Sequence, residues 1–132
     1  MTNPSSPTVV LVEDHPLHAR VLRRALAVRL PGGDIELFDD GTSACRRLLE
    51  GSRPDLLVLD LDLPGRTGHE LLSQCADAEM LNEMPTVVVT SSIDAADRER
   101  SLALGVTLHL PKPVDAAGFI QLADGLAALV RT

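Results

Sequence analysis

The chain has no tryptophan and no tyrosine, and its only two aromatic carbocycles are Phe38 and Phe119. A core built from it is therefore aliphatic. Stacking bases on aromatic platforms, the usual means of gripping single-stranded nucleic acid, is excluded in practice. Cysteine is nearly absent too. Cys45 and Cys75 fall inside helical patterns without CxxC spacing, so they read as buried, reduced thiols rather than a metal or disulfide framework. No apolar run approaches the about 18 residues of a membrane span. Cations are in the minority: Lys and Arg number 12 against 19 Asp and Glu, a net charge of −7. That balance disfavours nucleic acid and anionic membranes and favours cations. An apolar leader is missing from MTNPSSPT, and the expected compartment is the cytoplasm.

What is present is a series of short aliphatic runs separated by helical patterns. The 132 residues, 45% hydrophobic and 23% charged, suit one globular domain. Residues 1–7 read as a short disordered tail, and residues 8–132 as a single domain with no output domain attached. Thr8 to Val12, Asp34 to Phe38, Leu56 to Asp60, Thr86 to Val89 and Thr107 to Leu110 read as strands. The helical stretches between them begin near Pro16, Thr42, Gly68, Asp94 and Asp115. Pro16 suits a first helical turn, Thr42 an N-cap, and Asp94 or Ser92 another. In the first helix, Leu17, Val21, Leu22, Ala25 and Val28 form the expected apolar stripe. Alternation of strand and helix predicts an α/β fold: a doubly wound, five-stranded parallel sheet, flavodoxin-like, with five helices.

The central run is LLVLDLDLPGRTG, Leu56 to Gly68. It is a strand buried on both faces that ends in a carboxylate, Asp60, which packing does not require. Three of the other strands also end in reactive groups. Glu13 and Asp14 follow the first, Thr90 and Ser91 the fourth, and Lys112 the fifth. Strand carboxyl ends share one edge of such a sheet, so these groups are expected to meet in one cleft. Clustered carboxylates suit a hard cation such as Mg2+. An aspartate can attack phosphorus, and a lysine and a hydroxyl can stabilise transferring phosphoryl oxygens. Counting Asp62, the cleft carries about −3 without metal. Like charges about 4 Å apart at an effective dielectric of about 20 repel by roughly 4 kcal/mol.

The order Glu13-Asp14, Asp60-x-x-x-Pro64-Gly65-x-x-Gly68, Thr90-Ser91, Lys112-Pro113 resembles the receiver domain of two-component response regulators. The likeness covers Thr8 to Val130 and implies the strand order 2-1-3-4-5. By this resemblance Asp60 is the phosphoacceptor, taking its phosphoryl group from a phosphohistidine on a sensor histidine kinase or phosphotransfer protein. Glu13, Asp14, Asp60 and the backbone carbonyl of Asp62 would hold Mg2+, while Thr90 and Lys112 would contact the phosphoryl group. Thr90 and His109 occupy the switch positions; the family usually has Tyr or Phe where His109 stands. Asp62 and Ser92 occupy variable positions that tune phosphate lifetime. The family's cis bond after the lysine carries over to Lys112–Pro113. The run Asn82-Glu83-Met84-Pro85-Thr86-Val87-Val88-Val89-Thr90-Ser91-Ser92 further resembles stand-alone regulators paired with phytochrome-type kinases. Output through protein contact is implied, with a homodimer face around Leu102 and Leu108. His15, His18 and His69 read as surface residues, since no ligand spacing joins them.

Two other readings compete. A phosphatase of the haloacid dehalogenase type shares Asp60-Leu61-Asp62, the hydroxyls of VVVTSS and a lysine. It wants Thr or Val at Pro64 and metal acids after the lysine, and neither is present. An unphosphorylated receiver-like interaction module would not need the complete set of reactive residues. A flavin binder needs a phosphate loop after the first strand and aromatics to sandwich the flavin, and the chain has neither.

Overall fold

A computed structural model describes residues 6–131 of the chain. Most of the expected tail, residues 1–5, lies outside the described residues, as does Thr132. The elements run β1 (Thr8–Val12), α1 (Pro16–Arg29), β2 (Asp34–Phe38), α2 (Gly41–Glu50), β3 (Leu56–Leu59), α3 (Gly68–Asp77), β4 (Thr86–Thr90), α4 (Ala95–Leu104), β5 (Leu108–Pro111) and α5 (Ala116–Arg131). Five parallel strands form one sheet in the order β2-β1-β3-β4-β5. This is the doubly wound, flavodoxin-like arrangement that the alternation implies.

Side chains on a strand alternate between faces, and here both faces are covered. Val10, Val12, Leu57, Leu59 and Val88 pack with residues of α2 and α3. Val9, Leu11, Leu56, Val58, Val87 and Val89 pack with α1 and α5. That is why the inner strands read as continuous apolar runs. The edge strand β5 differs. Leu108 is exposed, and Pro111 sits at its end, as a residue without an N–H must.

Several local expectations shift. The buried face of α1 is Ala19, Leu22, Ala25 and Leu26, while Leu17 and Val28 are 59% and 76% exposed. At about 100° per residue those two lie roughly 140° and 120° around the axis from Leu22, off the core face. Asp40, not Thr42, caps α2: the helix starts at Gly41, and the Asp40 carboxylate accepts from the Ser43 N–H at 2.6 Å. Asp94 caps α4, accepting from Ala96 N–H. β5 is displaced one residue from the expected Thr107–Leu110, so Lys112 follows it directly. No peptide bond among the described residues is cis, so Lys112–Pro113 is trans. An X-Pro bond keeps a trans preference of about 0.5–1 kcal/mol when nothing local opposes it.

Both cysteines are buried as expected. Burial, with Cys45 nearby, pushes the Cys75 thiol up to about 12, and Cys45 Sγ donates to Gln74 Oε1 at 2.9 Å. A thiol that is neither accessible nor ionised is a poor nucleophile. Native protein at pH 8 is expected to leave a disulfide dye unreacted, and denaturant is expected to release both thiols. Prompt reaction of the native chain would show that the α2–α3 layer opens.

Candidate functional site at the carboxyl edge of the sheet

The ladder positions the reactive groups one residue beyond the strands. Val12 and Leu59 are register partners. Beyond them, Asp60 N–H donates to Val12 O at 3.1 Å and Glu13 N–H to Phe38 O at 2.9 Å. On the far side, Lys112 N–H donates to Thr90 O at 2.9 Å. The backbones of Glu13, Asp60 and Lys112 are thus fixed by the sheet rather than by a loop. After Asp60 the chain turns through Gly65, whose φ is +75°, a region that favours glycine. Gly68 then brings α3 against the carboxyl end of β3. A Cβ there would stand 2.6 Å from Leu61 Cα and 2.7 Å from the Asp60 carbonyl oxygen.

Four of the predicted site residues meet. Glu13 and Asp60 are buried, at 6% and 5% exposure, and Asp14 is exposed at the rim. One carboxylate oxygen from each lies within 4.8 Å of the others. Lys112 Nζ reaches both buried acids, 2.5 Å from Glu13 Oε1 and 2.9 Å from Asp60 Oδ2. Glu13 Oε2 also accepts from the His15 N–H at 3.2 Å, and Asp60 Oδ1 from the Asp62 N–H at 3.2 Å. Burial pushes the Glu13 carboxyl up from its ordinary value; the hydrogen bond from Lys112 opposes this without cancelling it. Burial works against the Lys112 charge, but Glu13 and Asp60 together hold its pKa above the ordinary lysine value. Such a donor set, all oxygen and anionic, fits a hard divalent cation.

Thr90 is fully buried, and its Oγ1 accepts from the Ser92 N–H at 3.3 Å. The Asp62 side chain is exposed and outside the carboxylate cluster, so the metal-free cleft carries a smaller excess of negative charge than the sequence count of −3. His109 pairs in register with Val88 and so faces the α2–α4 layer. It is half-buried, its Nδ1 has no hydrogen-bond partner, and burial, then Arg98, lowers its pKa.

Two histidines expected at the surface are not there. His18 is half-buried, stacked on His15 at 3.7 Å between ring centroids and tilted against Phe119. His69 is 8% exposed and bonded to α4. Glu13's direct contact with Lys112 was also missed: the acidic pair signals a metal site, but nothing in the sequence says which acid meets the lysine.

Fold and site together define a class. The chain belongs to the response regulator receiver domain family, whose profile matches residues 9–124. Its relatives narrow the picture. The probable methanogenesis regulatory protein FilR2 of Methanothrix harundinacea (strain 6Ac) is 40% identical over 111 residues, covering 80% of this chain and 72% of that one. Response regulator Rcp1 of Synechocystis sp. (strain ATCC 27184 / PCC 6803 / Kazusa) is 28% identical over 134 residues, covering 96% and 91%. The crystal structure of the phosphorylated cyanobacterial phytochrome response regulator RcpA superposes with a TM-score of 0.89 at 28% identity, over 96% of this chain and 95% of that one. A Rcp1 structure of its Mn(2+)-bound form superposes at 0.84 with 26% identity, over 92% of each. Among the described residues no helix is long and apolar enough to cross a membrane.

Three clustered carboxylates against one ammonium make the cleft self-repelling without a further cation. Millimolar Mg2+ is expected to raise the melting temperature. Asp60→Asn is expected to stabilise the metal-free protein, by on the order of 1 kcal/mol, because Glu13 keeps Lys112 paired. An unfolding curve unmoved by Mg2+ would contradict the shared cleft.

Proposed function

We propose that this chain is a response regulator that accepts a phosphoryl group on Asp60. The observation that carries the reading is the Lys112 ammonium, 2.9 Å from Asp60 Oδ2, at the edge of a three-carboxylate cluster. An Asp60 oxygen attacks phosphorus, the P–N bond to the donor histidine breaks, and the electron pair leaves with the imidazole. An acyl phosphate results, and water later cleaves it to phosphate and free Asp60. Lys112 bonds a phosphoryl oxygen and balances its charge, and the Thr90 hydroxyl donates to another. Glu13, Asp14 and Asp60, with the Asp62 backbone carbonyl, would hold Mg2+, which supplies further charge neutralisation. His109 fills the second switch position, and Asp62 and Ser92 border the path of water. The protein catalyses its own labelling and hydrolysis and does not turn over an external substrate.

Its likeness to RcpA and Rcp1 supports a phytochrome-type histidine kinase as donor, in the cytoplasm. The signal leaves through a protein target or a homodimer. Leu102 and Leu108, 42% and 40% exposed, offer apolar surface on the α4–β5–α5 face. Membership of the receiver family, with the acid pair ahead of the phosphoacceptor, favours this reading over the phosphatase.

Incubation with acetyl phosphate and Mg2+ is expected to add one phosphoryl group, about 80 Da, and Asp60→Asn is expected to abolish the gain. Steady turnover of a phosphate ester without a labelled intermediate would favour the phosphatase instead.

A further inference from the structure

A second polar cluster lies between α3 and α4, outside the carboxylate cleft. His69, in the first turn of α3, places Nε2 3.2 Å from Oγ of Ser101, a fully buried residue of α4, and 3.4 Å from the Asp97 carbonyl. Its Nδ1 is 3.9 Å from Asp97 Oδ1. The other Asp97 oxygen, Oδ2, accepts from Ser92 Oγ at 2.6 Å. Ser92 N–H in turn donates to Thr90 Oγ1. An unbroken series of polar contacts therefore runs from α3 through α4 to the buried Thr90.

Its two ends flank the phosphoacceptor. Gly68, the residue before His69, bonds to Leu61 O and lies against the Asp60 carbonyl. Thr90 closes the neighbouring strand. Ser92 has one hydroxyl proton to give, and the short bond to an aspartate is of the strong, charge-assisted kind. The Ser92 Oγ also accepts from the Asp94 N–H at 3.3 Å. Its proton is committed to α4 and withheld from any oxygen at Asp60.

We infer that Asp97 is a positioning residue for the phosphoryl chemistry. It commits the Ser92 hydroxyl to α4 and pins the β4–α4 loop that carries Thr90, and His69 holds Asp97 in place. The survival of the acyl phosphate is thereby set from α4. The inference rests on Asp60 being the phosphoacceptor and names a regulator of that same site.

The test is a mutant cycle read by loss of the phosphoryl mass from Asp60 after labelling with acetyl phosphate and desalting. Asp97→Ala is expected to change the half-life by about threefold or more. Asp97→Asn, which keeps an acceptor oxygen for Ser92, is expected to change it less. In a Ser92→Ala background, Asp97→Ala is expected to have no further effect, because coupled residues are non-additive. A merely structural role would lower the melting temperature and act equally in both backgrounds. Equal effects, or an unchanged half-life in Asp97→Ala, would overturn the inference while leaving the phosphoacceptor reading intact. Failure of the unmodified chain to label on Asp60 would overturn both.

Discussion

The Lys112 ammonium sits between the buried carboxylates of Glu13 and Asp60, and the rest of the site depends on that placement. A buried carboxylate without a partner would neutralise by taking up a proton. Here two are held at the end of a hydrophobic sheet by one cation, while a third acid stands at the rim. The ion pairs are weak evidence for stability, since desolvation offsets most of their Coulomb gain. Their value is in poise: three carboxylates face one ammonium, so the cleft is short of positive charge and an added cation would change its balance sharply.

The sheet makes the poise possible. Each group is carried one residue past a strand whose hydrogen bonds continue beneath it, and aliphatic side chains pack both faces of those strands. Rigid elements hold a constellation better than loops do. Gly68 extends the logic sideways, because the absence of a Cβ lets α3 close on Asp60. The Asp60 carbonyl thus lies against the start of α3, one residue before His69, whose ring reaches Asp97 and Ser101 on α4.

Much of this was legible in the amino-acid order. Leu56–Leu59 reads as a strand because burial on both faces removes alternation, and the reactive residues stand out because strand ends do not need them. The misses have a common physical origin: they depend on what faces what. Leu17 and Val28 satisfy a helical spacing but not the one that meets the sheet. Asp40 outcompetes Thr42 as a cap because the helix begins two residues earlier than a Thr42 cap implies. His69 looks like any helix-surface histidine until α4 is placed over it. Asp62 counts as cleft charge in the sequence but points to solvent in the fold.

The central claim is that Lys112 and the divalent cation share one set of carboxylates. A Lys112→Met chain titrated calorimetrically with Mg2+, at a pH high enough to keep Glu13 and Asp60 ionised, tests it directly, since both proteins then keep every oxygen ligand and differ by one positive charge. Removing a unit charge a few ångströms away is expected to tighten Mg2+ binding by about tenfold or more, equivalent to about 1.4 kcal/mol. An unchanged or weakened affinity would mean that the lysine and the metal answer to different groups, and would contradict the account.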